Sequence, residues 1–257
     1  MIAALFIAAF SAVFAQGAVT PPSARMFDGE TLKYEGKGSK LKLSIAIADL
    51  TFAAAMSPHS TDLMIKADAV SKGSLLRFFR YSFLQQYEST VDIHTFRILK
   101  TTMHDVQKER VRDSEAIFDY KAKRVSYTET DPKDPTRPPR RIASEIGTQL
   151  YDMISAIYAV RMLPFAVGKK FEFSVSDSGL VYKVPFAITA REMQKTVLGK
   201  VWCFRVEPEI FGNGRLIERE GKMVIWMTDD ARHTPVRSQI TTDFGKFNIR
   251  LKSSSKQ

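Results

Sequence analysis

The 257-residue chain predicts a mainly β fold, an antiparallel curved sheet or open half barrel of about ten strands packed on one main helix near 148–163. Three observations predict it. Apolar and polar residues alternate through most of the chain, which is the period of a half-buried strand. Short turn sequences separate these runs and favour antiparallel neighbours, because parallel ones need a crossover of about a dozen residues or more. One stretch, Thr148 to Gly168, departs from the alternation. There Ile146, Leu150, Met153, Ile154, Ile157 and Tyr158 recur at spacings of three and four, placing them on one helical face that needs a sheet to bury it.

Ile2 to Phe14 is an uncharged apolar run of 13 residues followed by Ala15, the pattern of an export signal at 1–15 cleaved before Gln16. No Lys or Arg precedes Arg25, unlike the usual start of such a signal. The run is shorter than the ~20 residues of a spanning helix, so no transmembrane anchor is expected after cleavage. Residues 16–257 are expected to form a single β-rich domain, long enough to bury one core without disulfides. Cys203 is the single cysteine, and its setting in VWCFRV reads as a small buried hydrophobe.

Leu41, Leu43, Ile45 and Ile47 alternate with Lys40, Lys42, Ser44 and Ala46 as one strand. Leu75 to Phe83 reads as a helical turn entering a strand that carries Tyr81, Phe83, Gln85, Tyr87 and Ser89 on one face. Further strands carry Phe171, Phe173 and Val175, then Leu180, Tyr182, Val184, Phe186 and Ile188. After these come Trp202, Phe204 and Val206, then Met223, Ile225 and Met227, then Phe247, Ile249 and Leu251. Asp177-Ser178-Gly179 and Phe211-Gly212-Asn213-Gly214 read as hairpin turns.

The helix has conventional ends: Thr148 as its cap, Asp152 in the first turns, Arg161 near the end where the helix dipole favours a cation, and Pro164 as its stop. Residues 130–141, TDPKDPTRPPRR, predict a mobile Pro/Arg-rich loop.

The net charge of +10 implies anionic surroundings. For an exported protein these are lipid headgroups or envelope polysaccharide, and no nucleic acid is expected. Arg137, Arg140 and Arg141 form a candidate anion patch. The four histidines fall in no metal-ligand spacing, and no phosphate-binding glycine loop or dinucleotide fingerprint is present, so no metal or cofactor is expected. Tyr182, Phe186, Trp202, Phe204 and Trp226 are candidates to line a site for an apolar ligand, against the simpler reading of a filled core. Asp229, Asp230 and His233 share one turn and are the candidate catalytic cluster, against the reading that Asp side chains there cap the turn.

Four segments carry a resemblance: Phe27 to Tyr34 (FDGETLKY), Tyr87 to Asp92 (YESTVD), Tyr151 to Tyr158 (YDMISAIY) with Arg161 and Pro164 to Gly168, and Ile225 to Asp230 (IWMTDD) before Pro235-Val236. In this order they resemble the exported bacterial proteins catalogued as domain of unknown function 3108. The resemblance implies a predominantly antiparallel β fold in the periplasm or cell envelope, and it implies no established activity and no site residues. Two segments depart from it: 33–44 is more basic than the opening hairpin should be, and the arginine-rich loop looks like an elaboration. The expected function is that of a non-catalytic periplasmic protein binding a lipid or envelope polymer, or assembling with an envelope protein. The alternative is a hydrolase or lyase acting on envelope polymers through Asp229, Asp230 and His233.

Overall fold

The computed structural model describes residues 24–256 apart from 41, 42, 59 and 244. The expected export signal lies outside the described residues. A 3-10 turn at Ala24–Phe27 leads into strands β1 (Glu30–Lys40), β2 (Leu43–Met56) and β3 (Asp62–Ser71), then helix α1 (Gly73–Phe79). Strands β4 (Phe83–Asp92), β5 (Ile98–Gln107), β6 (Arg110–Asp119), β7 (Arg124–Thr130), β8 (Arg140–Glu145) and β9 (Tyr151–Asp152) precede helix α2 (Met153–Arg161). Strands β10 (Lys170–Asp177), β11 (Leu180–Thr196), β12 (Gly199–Pro208), β13 (Gly221–Thr228), β14 (Pro235–Thr242) and β15 (Gly245–Lys256) complete the chain.

All fifteen strands lie in one open sheet, in the order β8 to β1 and then β15 down to β9. Two meanders are therefore joined along β1 and β15, whose antiparallel ladder runs from Glu30↔Lys256 to Ser39↔Lys246. Every pair is antiparallel except β9 with β10. The mainly β, antiparallel expectation is met, but fifteen strands replace the expected ten or so, and α1 joins the one expected helix. The undercount has a physical cause. In β5, for example, an inward position carries Thr101, buried because it hydrogen-bonds a buried carboxylate, so the apolar alternation is broken there.

The sheet curls around α2. Tyr158 and Ala159 pack with Leu63, Ile65 and Val91 of β3 and β4, while Val160 packs with Phe186, Phe204 and Met227 of β11 to β13. Those strand groups lie far apart in the sheet order, so only a curled sheet can bring both to one short helix. The sheet's far ends also approach one another, since Ser144 Oγ of β8 donates to the Gly179 carbonyl at 2.7 Å. Gly179 sits at φ +80° after Ser178 at φ +49°, the two left-handed residues of a tight two-residue hairpin turn between Asp177 and Leu180. A Cβ on Gly179 would lie 2.6 Å from Cβ of Tyr127, so glycine is required there twice over.

Three local expectations change. The expected strand through 40–48 is a hairpin, with β1 ending at Lys40 and β2 starting at Leu43; Leu41 and Lys42 lie outside the described residues. Phe211 to Gly214 is part of a longer connection between β12 and β13, held by a Phe211↔Ile217 bridge. The Phe211 ring would meet a Cβ on Gly221 at 2.7 Å, so it packs closely against that glycine. The helix is shorter than 148–163, because 151–152 are extended in a parallel bridge to Val175 and Ser176 of β10. Ile146 and Leu150 consequently leave the helical stripe and pack with Ile98, Phe118 and Val125.

Candidate functional site

The interior around α2 is organised by two buried polar anchors. At its start Asp152, not Thr148, is the cap. Its Oδ1 accepts from the backbone N–H groups of Ile154 at 3.0 Å and Ser155 at 2.7 Å, and Ser155 Oγ accepts from the Asp152 N–H at 2.9 Å. This closes a capping box and satisfies donors that a helix start leaves open. Its other oxygen, Oδ2, accepts from the hydroxyls of Ser89 and of Thr101, the latter at 2.7 Å. One carboxylate thus pins the helix start, edge strand β9 and the inner faces of β4 and β5 together.

At the other end Arg161 is 1 % exposed, as is Glu30, and they form a two-pronged ion pair with N–O distances of 2.6 and 2.7 Å. Arg161 does place a cation in the last turn of the helix, as expected from the dipole, but its partner there is a buried carboxylate that the dipole reading did not include. Its Nε donates to the Arg232 carbonyl at 3.1 Å, and its guanidinium lies over the rings of Phe27, at 4.5 Å, and Tyr158. Burial raises the hydroxyl pKa of both Tyr34 and Tyr158 beside this pair, so both rings stay neutral.

Between these anchors the helix does not fill the sheet. A cavity of 130 Å³ lies under Met153, Ala156, Ile157 and Val160, against Phe173, Phe186, Val206 and Met227. A second, of 90 Å³, lies against Leu32, Leu50, Phe52, Pro235 and Ile249. Ile157, Met223 and Ile225 line both, so the two adjoin along the helix. Their walls are almost wholly apolar. Tyr158 and Ser238 line the second cavity, and both their hydroxyls are buried with no hydrogen-bond partner among the described residues. A buried donor left unsatisfied costs about 1–3 kcal/mol, so two beside one cavity stand out.

The five expected apolar-site residues separate. Phe186 lines the first cavity. Phe204 is buried beside it, edge-on to Phe165. Tyr182 is half-buried on β11, two and four residues before Val184 and Phe186. The two tryptophans lie away from the cavities: Trp202, on the Phe204 face of β12, is 45 % exposed under the Arg191 guanidinium, and Trp226, on the opposite face of the sheet, is covered by Arg237 and donates to Glu192. Met223, Ile225 and Met227 are the residues of β13 that face the helix, and Ile157 faces the cavities from α2. Residue parity along β13 already separates them from Trp226; which parity points inward is visible only once the sheet is rolled.

The expected acid–base cluster is a structural turn. Asp230 Oδ1 accepts from Thr228 Oγ1 at 2.9 Å and from the N–H groups of Arg232 and His233. Asp229 is paired with Arg191. His233, at φ +43°, stacks on Phe165 with ring centroids 4.1 Å apart, and its Nδ1–H donates to the Arg161 carbonyl at 2.9 Å. Burial lowers its pKa and favours the neutral ring. Each of the three is committed to a separate bond, and the turn ties β13–β14 to the helix end. The arginine patch is similarly occupied: Arg137 lies 3.8 Å from Asp131 and Arg140 4.0 Å from Glu129, leaving Arg141 exposed on the edge strand. Cys203 is buried, and burial pushes its thiol pKa up to about 11. Among the described residues no group of three or more His, Cys, Asp or Glu could hold a metal ion.

A family model described as "Protein of unknown function (DUF3108)" matches residues 33–252. The chain belongs to this family. No catalytic family is indicated for it, and no curated protein matches the chain. Among solved structures, the β-barrel-like protein of domain of unknown function DUF1849 from Brucella abortus is similar with a TM-score of 0.59 at 8 % identity, covering 89 % of this chain and 97 % of that one. At that identity the likeness concerns fold alone, and it extends the curled sheet of this DUF3108 member to a second family of unknown function. Among the described residues no helix is long and apolar enough to cross a membrane.

Proposed function

We propose that this DUF3108 protein is a non-catalytic binding protein of the periplasm, whose half-barrel sheet and helix α2 hold a single fatty-acyl chain. The observation that carries the reading is the pair of adjoining apolar cavities along Ile157, Met223 and Ile225. Each is near the size of a ~150 Å³ apolar cavity that takes up benzene, and below the roughly 300–1,000 Å³ of drug-sized pockets. A narrow alkyl chain laid along the helix suits that shape; a bulky ring system does not. The unpartnered hydroxyls of Tyr158 and Ser238 suit one ester or carboxyl oxygen at the end of such a chain. The placement in the envelope rests on the apolar run at 2–14 and the family resemblance.

The test is Ala156→Leu, which fills the first cavity from the helix without touching either polar anchor. Added methylenes entering existing space bury apolar surface, so thermal stability is expected to hold or rise. Affinity for a fatty-acid probe, measured by displacement of an environment-sensitive dye, is expected to fall by about tenfold or more, equivalent to ~1.4 kcal/mol. Unchanged affinity in a folded variant, or no saturable binding by the wild-type protein, sinks the reading.

A further inference from the structure

On the opposite side of the sheet from these cavities, strands β1, β14 and β15 and the tip of the β11–β12 hairpin enclose a polar groove of 870 Å³. Two arginines lie side by side on its wall. The β14–β15 ladder sets Arg237 directly opposite Arg250, an arrangement that costs stability when the charges are alike. Arg237 is held rigidly: its ring-stacked guanidinium lies 4.4 Å from the Trp226 centroid, and Nη2 donates to Gln239 at 3.1 Å and Asn248 at 3.3 Å. Its Nε is buried with no partner among the described residues. Burial and Arg250 together lower the Arg237 pKa, while Glu192, already bonded by Trp226, opposes them. The carboxylate across β1 from Arg250 is Glu35, and it is shared by Lys72 at 3.0 Å, Lys37 at 3.3 Å and Lys252 at 3.9 Å. Glu35 is thus engaged by three lysines, and among the described residues neither Arg237 nor Arg250 is in a direct ion pair with a carboxylate.

We propose that this outer groove is a binding site for a phosphate-type oxyanion, clamped between Arg237 and Arg250 with Lys37 and Lys252 alongside. Two neighbouring guanidiniums on one face suit the several oxygens of a phosphate, and an anion there turns a repulsive cross-strand pair into an attractive one. The groove wall suggests a source: the hairpin tip carries Val197, 55 % exposed, with Leu198 exposed beside it and Lys195 and Lys200 around them. An apolar tip ringed by lysines suits a membrane surface, where the phosphate would belong to a lipid headgroup. This site is independent of whether the inner cavities take an acyl chain.

The test compares the full chain with Arg250→Gln, a substitution at an exposed position. Millimolar phosphate is expected to raise the wild-type Tm by about 3 °C over chloride of equal ionic strength, as for a ligand that binds only the folded state. Arg250→Gln is expected to abolish that shift, and its Tm without phosphate is expected to equal or exceed the wild type, because the facing charge is gone. The same phosphate shift in both proteins would be general salting and would overturn the proposal, as would no shift in the wild type. Vesicles of phosphatidylglycerol supply the second arm. Co-sedimentation lost in Arg250→Gln assigns the phosphate to a lipid; a phosphate shift without vesicle binding assigns it to a soluble phosphate compound.

Discussion

Glu30→Gln or Arg161→Met, made singly, is expected to destabilise the protein by about 3–5 kcal/mol in equilibrium denaturation, because each leaves the other charge buried without its partner. Both side chains are 1 % exposed, so water cannot take over the lost contacts. The double variant Glu30→Gln/Arg161→Met is expected to be distinctly less destabilised than the sum of the singles, since it removes both charges at once. Additive losses would show that the two side chains act through separate contacts. The pair has a further task, because Glu30 starts β1 and Arg161 ends α2, so it fixes one end of the helix against the strand where the two meanders join. Loosening it is expected to open the second cavity, which Arg161 and Tyr158 line.

Asp152→Ala is the second large loss. The cap alone is worth about 0.5–2 kcal/mol, and the hydroxyls of Ser89 and Thr101 would be left buried at roughly 1–3 kcal/mol each. Partial relaxation reduces the sum, and a total of about 3–5 kcal/mol is expected in the same denaturation measurement. Asp152→Asn separates the contributions: its side-chain oxygen still accepts at the cap, but its NH₂ cannot accept from both hydroxyls, so an intermediate loss is expected. If the alanine variant were as stable as the wild type, the carboxylate would not be pinning β4, β5 and the helix together.

The β class was legible because alternation is local: Phe171, Phe173 and Val175, or Met223, Ile225 and Met227, show it within a few residues. The tight turn at 178–179 was legible for the same reason. The strand total was not, as β5 shows, because Thr101 occupies a buried position for the sake of a carboxylate 51 residues away. The helix start was misplaced because Thr148 is a good local cap, whereas the parallel bridge of Tyr151 and Asp152 to β10 depends on a strand not yet encountered in the chain. Arg161 read as a dipole partner because its real partner, Glu30, is 131 residues distant. Of the candidate site, Phe186 is readable from its alternation, while size misleads for the tryptophans: a large aromatic packs as well under an arginine at the exposed end of a face, as Trp202 does, or on the outer face, as Trp226 does, as in the interior. The cavities themselves depend on how much space nine helical residues leave inside a curled sheet, which no periodicity encodes.

Whether the space beneath α2 holds an acyl chain is tested most directly by native mass spectrometry of the protein purified from its own cells. The expected spectrum contains, beside the bare chain, a species heavier by one lipid, which organic extraction removes and which Ala156→Leu lacks. A spectrum of bare protein alone, with no extractable lipid, would contradict the account and leave α2 as a structural plug.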